Sequence, residues 1–356
     1  MNFHASTTSF RRQPWPLLRI LRTMQARAVP GLVVTSLCFA GLTLGFGAAF
    51  AQDSHAYPTK PIRIVVPYVP AGLSDTLARA IGQKLTGVWG QPVIVENRPG
   101  ANGAIGSELV AKSAPDGYTL LLVEGPVLTA NPSLYSKLPY NPVKDFAPIT
   151  TLVSYASVLL VYPSVPANSL SEFLALAKKG GSNSLTYGSF GSGSGGHLNM
   201  EWLKSIAGLE IIHVPYKGSA PAVTDLLGGR LSTMLLTVSL AQAHVRSGKV
   251  RALAIAAPTR SPLLPEVPTF AEAGLQGYEA TSWFGLVTTA GTPKEIISKV
   301  YAEVAKILKE PDFKEQRLVK QGIEAVGNTP EEFAALIRSE TAKWARVIKE
   351  SGTNLD

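Results

Sequence analysis

The chain is poor in the residues most often used for covalent and metal chemistry. It holds one cysteine, Cys38, and five histidines in 356 residues. Cys38 lies inside an N-terminal segment that reads as a removable leader, so the remaining chain carries no thiol. That excludes disulfides, cysteine nucleophiles and thiolate metal sites together. The histidines outside the leader are His55, His197, His213 and His244. None pairs with another at the spacing a zinc site needs, so no metal is expected. A G-x-S-x-G nucleophile elbow is missing, because Ser189, Ser192 and Ser194 do not have glycine on both sides at the required spacing. Beyond residue 51 there is no apolar run long enough to span a membrane. There is also no run of basic residues with interleaved aromatics, which argues against nucleic acid as a partner.

The first 51 residues lack acidic side chains and contain Arg11, Arg12, Arg19, Arg22 and Arg27. An apolar run over residues 32–50 follows and closes on Ala49-Phe50-Ala51. A basic region, an apolar region and an A-x-A site read as a secretory signal peptide over residues 1–51, cut after Ala51, so the mature chain is expected to be exported. A membrane anchor fits less well, because Gly41, Gly45, Gly47 and Ala48 make the run small-residue rich. Leu37 before Cys38 is not the small residue a lipidated cysteine needs, and Pro14 spoils Arg11-Arg12 as a twin-arginine motif. Met24 would give a more ordinary start. Removing five arginines takes the formal charge from +8 to +3, so the basic balance belongs mostly to the leader. The rest of the chain is long enough for about two domains.

After an extended, proline-bearing start, residues 62–66 read as a buried strand and residues 75–86 as a helix, with Leu77, Ala78, Ile81 and Leu85 on one face and Ser74 or Asp75 as cap. A strand at 92–96, a loop at 97–103, a helix near 104–113 and a strand at 118–123 complete β-α-β-α-β, the pattern of a parallel sheet covered on both faces. Residues 124–149 read as irregular. The alternation then resumes. Strands are expected at 157–161, 185–187, 211–214, 232–237 and 251–256, with helices at 169–179, 198–207, 220–227 and 241–247 between them. Ser169 to Glu172 and Thr329 to Glu332 form capping boxes. Tail helices are expected at 294–308, 311–321 and 331–349, packing back on the first lobe because helices without strands do not readily close a domain. The result is an α/β clamshell of two mainly parallel sheets: residues 57–153 with 284–356 as lobe 1, residues 154–283 as lobe 2, and the cleft between them as the ligand site.

Two strand-to-helix turns can carry chemistry: Pro67-Tyr68-Val69-Pro70-Ala71-Gly72-Leu73-Ser74-Asp75, and Ser189-Phe190-Gly191-Ser192-Gly193-Ser194-Gly195-Gly196-His197. Such turns lie at the sheet edge where ligands bind, and the free N–H groups of a helix start suit an anion. Either turn alone could be only a flexible connection, but one on the equivalent edge of each lobe favours a carboxylate site. Gly191, Gly193 and Gly196 also spell G-x-G-x-x-G, yet residues 211–214 end in Pro215-Tyr216-Lys217 with no acidic residue, so a dinucleotide is discounted and no cofactor is expected. His197 is a candidate general base, though a residue there more often caps a turn or lines a pocket. His213 within a strand reads as a satisfied core histidine. Helix capping accounts for Asp75.

These turns, with Val95-Glu96-Asn97-Arg98-Pro99-Gly100-Ala101, Ser113-Ala114-Pro115-Asp116-Gly117-Tyr118, Asp145-Phe146-Ala147-Pro148-Ile149, Val214-Pro215-Tyr216-Lys217-Gly218 and Leu264-Pro265-Glu266-Val267-Pro268-Thr269, closely resemble the substrate-binding receptors of tripartite tricarboxylate transporters, the Bug-type family. The resemblance covers residues 57–349. It implies a non-catalytic, monomeric periplasmic-binding-protein (Venus flytrap) fold. Such a receptor holds a small organic carboxylate, a di- or tricarboxylate or related acid, and delivers it transiently to membrane transporter subunits. Carried over residue by residue, the ligand contacts are Tyr68, Ala71, Gly72, Ser74, Asp75, Ser189, Gly191, Ser192, Gly193, Ser194, His197 and Tyr216. The chain departs from the family twice. Ala71 replaces the first of two glycines, and Leu235-Leu236-Thr237 lacks an aspartate, which argues against an amine-bearing ligand. Rival readings are a cleft hydrolase using His197 and a receptor that presents its ligand to a sensor kinase.

Overall fold

The computed structural model describes residues 57–180 and 185–355; the leader reading falls outside them. Strand β1 (Ile62–Val66), helix α1 (Leu73–Trp89), β2 (Val93–Asn97), α2 (Ala104–Ala111) and β3 (Thr119–Glu124) build the expected β-α-β-α-β unit. β2, β1 and β3 pair in parallel. β1 and β3 are buried on both faces: Ile62, Ile64 and Val66 pack in one cluster while Val65 joins another, and Leu120 and Leu122 separate from Leu121 and Val123 in the same way. That alternation follows from the two-residue period of a strand.

The stretch after β3 is more regular than its sequence suggests. Pro126 and Pro132 sit at helix starts, where a missing N–H does no harm, in α3 (Gly125–Thr129) and α4 (Asn131–Leu134). A ten-residue strand, β4 (Phe146–Tyr155), follows despite Pro148. It runs antiparallel to β10 (Ser282–Thr289), which pairs antiparallel with β3 in turn. β11 (Ile323–Ala325) adds to the edge, giving the order β11-β4-β10-β3-β1-β2.

Ala156 separates β4 from β5 (Ser157–Val161), which starts the second sheet. Helix α5 (Leu170–Ala177), β6 (Leu185–Ser189), α6 (Gly195–Ala207), β7 (Ile211–Pro215), α7 (Ser219–Leu227), β8 (Thr233–Thr237), α8 (Val238–Arg246) and β9 (Arg251–Ile255) follow, in sheet order β7-β6-β8-β5-β9. β6 pairs in parallel with β7 and β8, but β5 runs antiparallel to β8 and β9. Both sheets are therefore mixed, with most strands running one way and β10, β11 and β5 against them. The strands that carry the chain between the sheets enter against the direction of their neighbours.

In the tail, α9 (Lys294–Lys309) packs Val300, Val304 and Ile307 on the first sheet. The short α10 (Pro311–Phe313) runs into a π turn and a 3₁₀ turn before β11. α11 (Pro330–Ser351) opens on the expected capping box, Thr329 with Glu332. It does not simply pack back on the first lobe. Its first half buries Phe333 and Ile337 against the first sheet, while Trp344, Val347 and Ile348 join the core containing Leu198, Trp202 and Leu203 of α6.

Candidate functional site

The first turn is held from below. α1 begins one residue after Gly72, and neither Ser74 nor Asp75 caps it. Asp75 is buried, and its carboxylate accepts the Ala71 backbone N–H at 3.0 Å and the Arg79 Nε at 3.1 Å. Burial alone would raise the Asp75 carboxyl, but these donors hold it below the usual carboxylate range. Arg79 also reaches Asn97 Oδ1, and Asn97 donates to the Tyr68 carbonyl. Asp75 thus fixes the turn's shape. Ala71 and Gly72 form its exposed tip.

Ala71 adopts φ 70°, the left-handed region that costs an L-residue about 1–2 kcal/mol. The glycine expected here would take this conformation freely. Ala71→Gly should therefore raise stability by about 0.5–1 kcal/mol, the relieved strain less the extra unfolded-state freedom. Urea unfolding of the two proteins measures the difference, and a less stable glycine variant would mean the turn is unstrained.

The second turn is braced by its own side chains. Ser189 Oγ lies 2.7 Å from His213 Nε2 and accepts the Gly191 N–H. Ser194 caps α6, accepting the His197 N–H and donating to the Gly191 carbonyl. His197 is buried behind the turn, where its Nδ1 accepts the Gly193 N–H at 3.0 Å. Its ring stacks on His213 with centroids 3.9 Å apart, and Tyr187 packs against both rings, at 4.8 Å from His213 and 6.4 Å from His197. Burial, with Lys204 nearby, lowers the His197 pKa from 6.5 to about 4. His213 falls to about 4 through burial and the charge of His197. His213 is thus part of the turn's support and not an isolated core histidine. Tyr216 spends its hydroxyl on Asp225 and presents its carbonyl near Gly191. Ser192 is exposed at the tip.

The two lobes meet at these turns. Asn102 Nδ2, in the loop before α2, donates to the Gly193 carbonyl at 3.2 Å and to Asn131. Gly193 has φ 78°, and a Cβ there would lie 2.7 Å from Asn102 Nδ2, so only glycine fits. Glu124 ends β3, and its Oε1 would lie 2.9 Å from a Cβ on Gly195, the first residue of α6. The Tyr155 hydroxyl donates to that oxygen at 2.7 Å. Burial pushes the Glu124 carboxyl above its usual range, against the pull of the Tyr155 hydrogen bond. The Tyr68 hydroxyl is buried with no hydrogen-bond partner in good geometry. Burial and then Glu124 push this phenol well up, while the Glu124 backbone pulls the other way. Tyr68 of the first turn and Gly195 of the second therefore converge on one carboxylate.

Sequence reasoning missed Glu124, Tyr155, Asn102 and Ser282. Only Asn102 left a local signal, since asparagine tolerates the left-handed backbone it adopts at φ 46°. Two other recesses lie elsewhere. One of about 650 Å³ on the second lobe includes Arg251, which is already committed to the Val165 and Ala167 carbonyls. Another, of about 520 Å³, lies beside Ala156 and Thr281. Neither is lined by a residue of the two turns, so the cleft where both turns converge is the stronger candidate. Among the described residues no cluster of three metal-ligating side chains occurs, and no helix is long and apolar enough to cross a membrane.

Two α/β lobes meet where the start of α6 faces Asn102 and Glu124 of the first lobe, an arrangement that suits a solute-binding receptor, and comparison with known proteins agrees. A family described as "Tripartite tricarboxylate transporter family receptor" matches residues 77–353, and the chain belongs to it. BugT of Bordetella pertussis is 36% identical over 88% of this chain and 95% of its own. Among solved structures, one described as a periplasmic transporter is 40% identical with a TM-score of 0.74, covering 84% of this chain and all of that one. An R. palustris protein solved with adipate is 34% identical, with a TM-score of 0.75, covering 83% of this chain and 98% of that one. MatC from Rhodopseudomonas palustris with bound malate is 33% identical, with a TM-score of 0.73, covering 82% of this chain and 100% of that one.

Proposed function

We propose that this protein is an exported, non-catalytic receptor that captures a small organic carboxylate between its lobes and passes it, as a monomer, to the membrane subunits of a tripartite transporter. The observation that carries this reading is that the start of α6 in one lobe faces Asn102 and Glu124 of the other, on the sheet edge from which α1 also starts. The first N–H groups of each helix have no partner within the helix, and the helix dipole adds about half a positive charge there. A carboxylate is the anion these donors suit. The ligands of the adipate and malate structures support the same class. His197 is spent on the Gly193 N–H and buried, so it is badly placed to serve as a general base.

A thermal-shift screen of small acids on the leader-free chain, followed by calorimetry, tests the reading. At about 100 times its dissociation constant a true ligand adds about 2.7 kcal/mol of stability. One-to-one binding without product formation is expected. If no acid raised the midpoint, or if the bound acid were turned over, the proposal would fall.

A further inference from the structure

We infer that Glu124 selects the ligand: the cleft takes a small carboxylate that also carries an ammonium group, and disfavours the plain diacid of the same length. The inference rests on the cleft being the carboxylate site.

Glu124 stands at the carboxyl end of β3, the edge at which open α/β sheets bind ligands, and its side chain reaches the start of α6 in the other lobe. One oxygen accepts the Tyr155 hydroxyl, and among the described residues no hydrogen bond reaches the other. Among the same residues no lysine, arginine or histidine pairs with this half-buried acid, whereas the fully buried acids of this region are matched: Asp75 with Arg79, and Glu201 with Lys204. The two neighbouring imidazoles are neutral near pH 7 and supply no compensation. A carboxylate removed from water without a cationic partner is unfavourable, and a ligand that brings the cation removes that penalty. A second ligand carboxylate placed there would add like-charge repulsion instead. The unpartnered Tyr68 hydroxyl beside Glu124 adds a free polar group to the same spot. Glu124, from the first lobe, thus does what the missing aspartate at residues 235–237 would have done from the second.

Calorimetry on the leader-free chain with matched probes tests this: aspartate against succinate, glutamate against glutarate, and γ-aminobutyrate against butyrate. The amino member of at least one pair should bind about tenfold or more tightly. Glu124→Gln keeps an acceptor for Tyr155 but removes the charge, and should reverse or erase that preference. Glu124→Asp should retain it, and thermal melts of both variants show whether they fold. The inference is overturned if the plain acid binds as well as its amino partner in the wild-type chain, or if Glu124→Gln leaves the ratio unchanged. Binding of none of the six probes or of any other small acid would instead overturn the carboxylate reading beneath it.

Discussion

Valine at Gly195 should weaken carboxylate binding by about a hundredfold or more, roughly 2.7 kcal/mol, with little change in the unfolding midpoint. Gly195 opens α6, and a Cβ there would meet Glu124 Oε1 at 2.9 Å and Ser282 Oγ at 3.5 Å. Both belong to the first sheet, across the cleft. A branched side chain therefore holds the lobes apart at the point where they converge, and it also covers the N–H groups that an anion approaches. The fold should tolerate it, since the first position of a helix makes few demands on its side chain and the cap is the neighbouring Ser194. Gly87→Val on the exposed face of α1, where an added Cβ meets open space, is the control. Calorimetry on both variants decides. Unimpaired binding in Gly195→Val would move the ligand site elsewhere.

The second large effect is on stability in mild acid. His197 and His213 have native pKa values lowered to about 4 from 6.5. Bases depressed in this way are protonated first in the unfolded chain. Between pH 6.5 and 4 the unfolded state therefore binds more protons, and stability falls as pH falls, with the loss complete below about 4. For His197 the full loss is about 3 kcal/mol; His213, half-exposed, contributes less. Glu124 acts in the opposite sense, because its raised native pKa makes its ionisation unfavourable near neutrality and protonation relieves that. Urea unfolding across this window should show the decline, and His197→Asn should flatten it. In the folded protein Nδ1 is protonated only near pH 4 and below, where it no longer accepts the Gly193 N–H, so carboxylate affinity should hold through the window and fall only at its acid end. An identical slope in His197→Asn would show that the imidazole is not the group responsible.

Much of the architecture was legible from periodicity. The strand and helix alternation of both lobes, the two turns, the Ser169 cap and the Thr329 capping box are short-range patterns that the structure contains, although at Ser169 the Glu172 carboxylate takes the Asn168 N–H and leaves the expected box open. β4 was hidden because Pro148 reads as a breaker, yet here it stands in a strand of irregular register beside β10. β10 and β11 gain their meaning only from distant partners, and for that reason the sheets are mixed. At the site, clustered glycines and serines announced the second turn, and Ala71 was noticed as a departure before its positive φ was known. Glu124 gave no local signal. It is a single acid after a buried strand, and only folding sets it against Gly195. Asp75 reads as a helix cap but instead braces the Ala71 N–H from within, because a sequence does not show which way a side chain points, whereas His197 holds the Gly193 N–H, in line with the turn-capping reading of its position.

The helix α11 has one end in each core, with Phe333 anchored under the first sheet and Trp344 beside α6 of the second lobe. Both ends are close-packed, so separating either would expose large aromatic surface. The lobes can therefore part at the mouth only by turning about this rod, as a door turns on its pin. Wide splaying is disfavoured, and release becomes a narrow swing whose reach is set by how far one helix can roll in its two sockets.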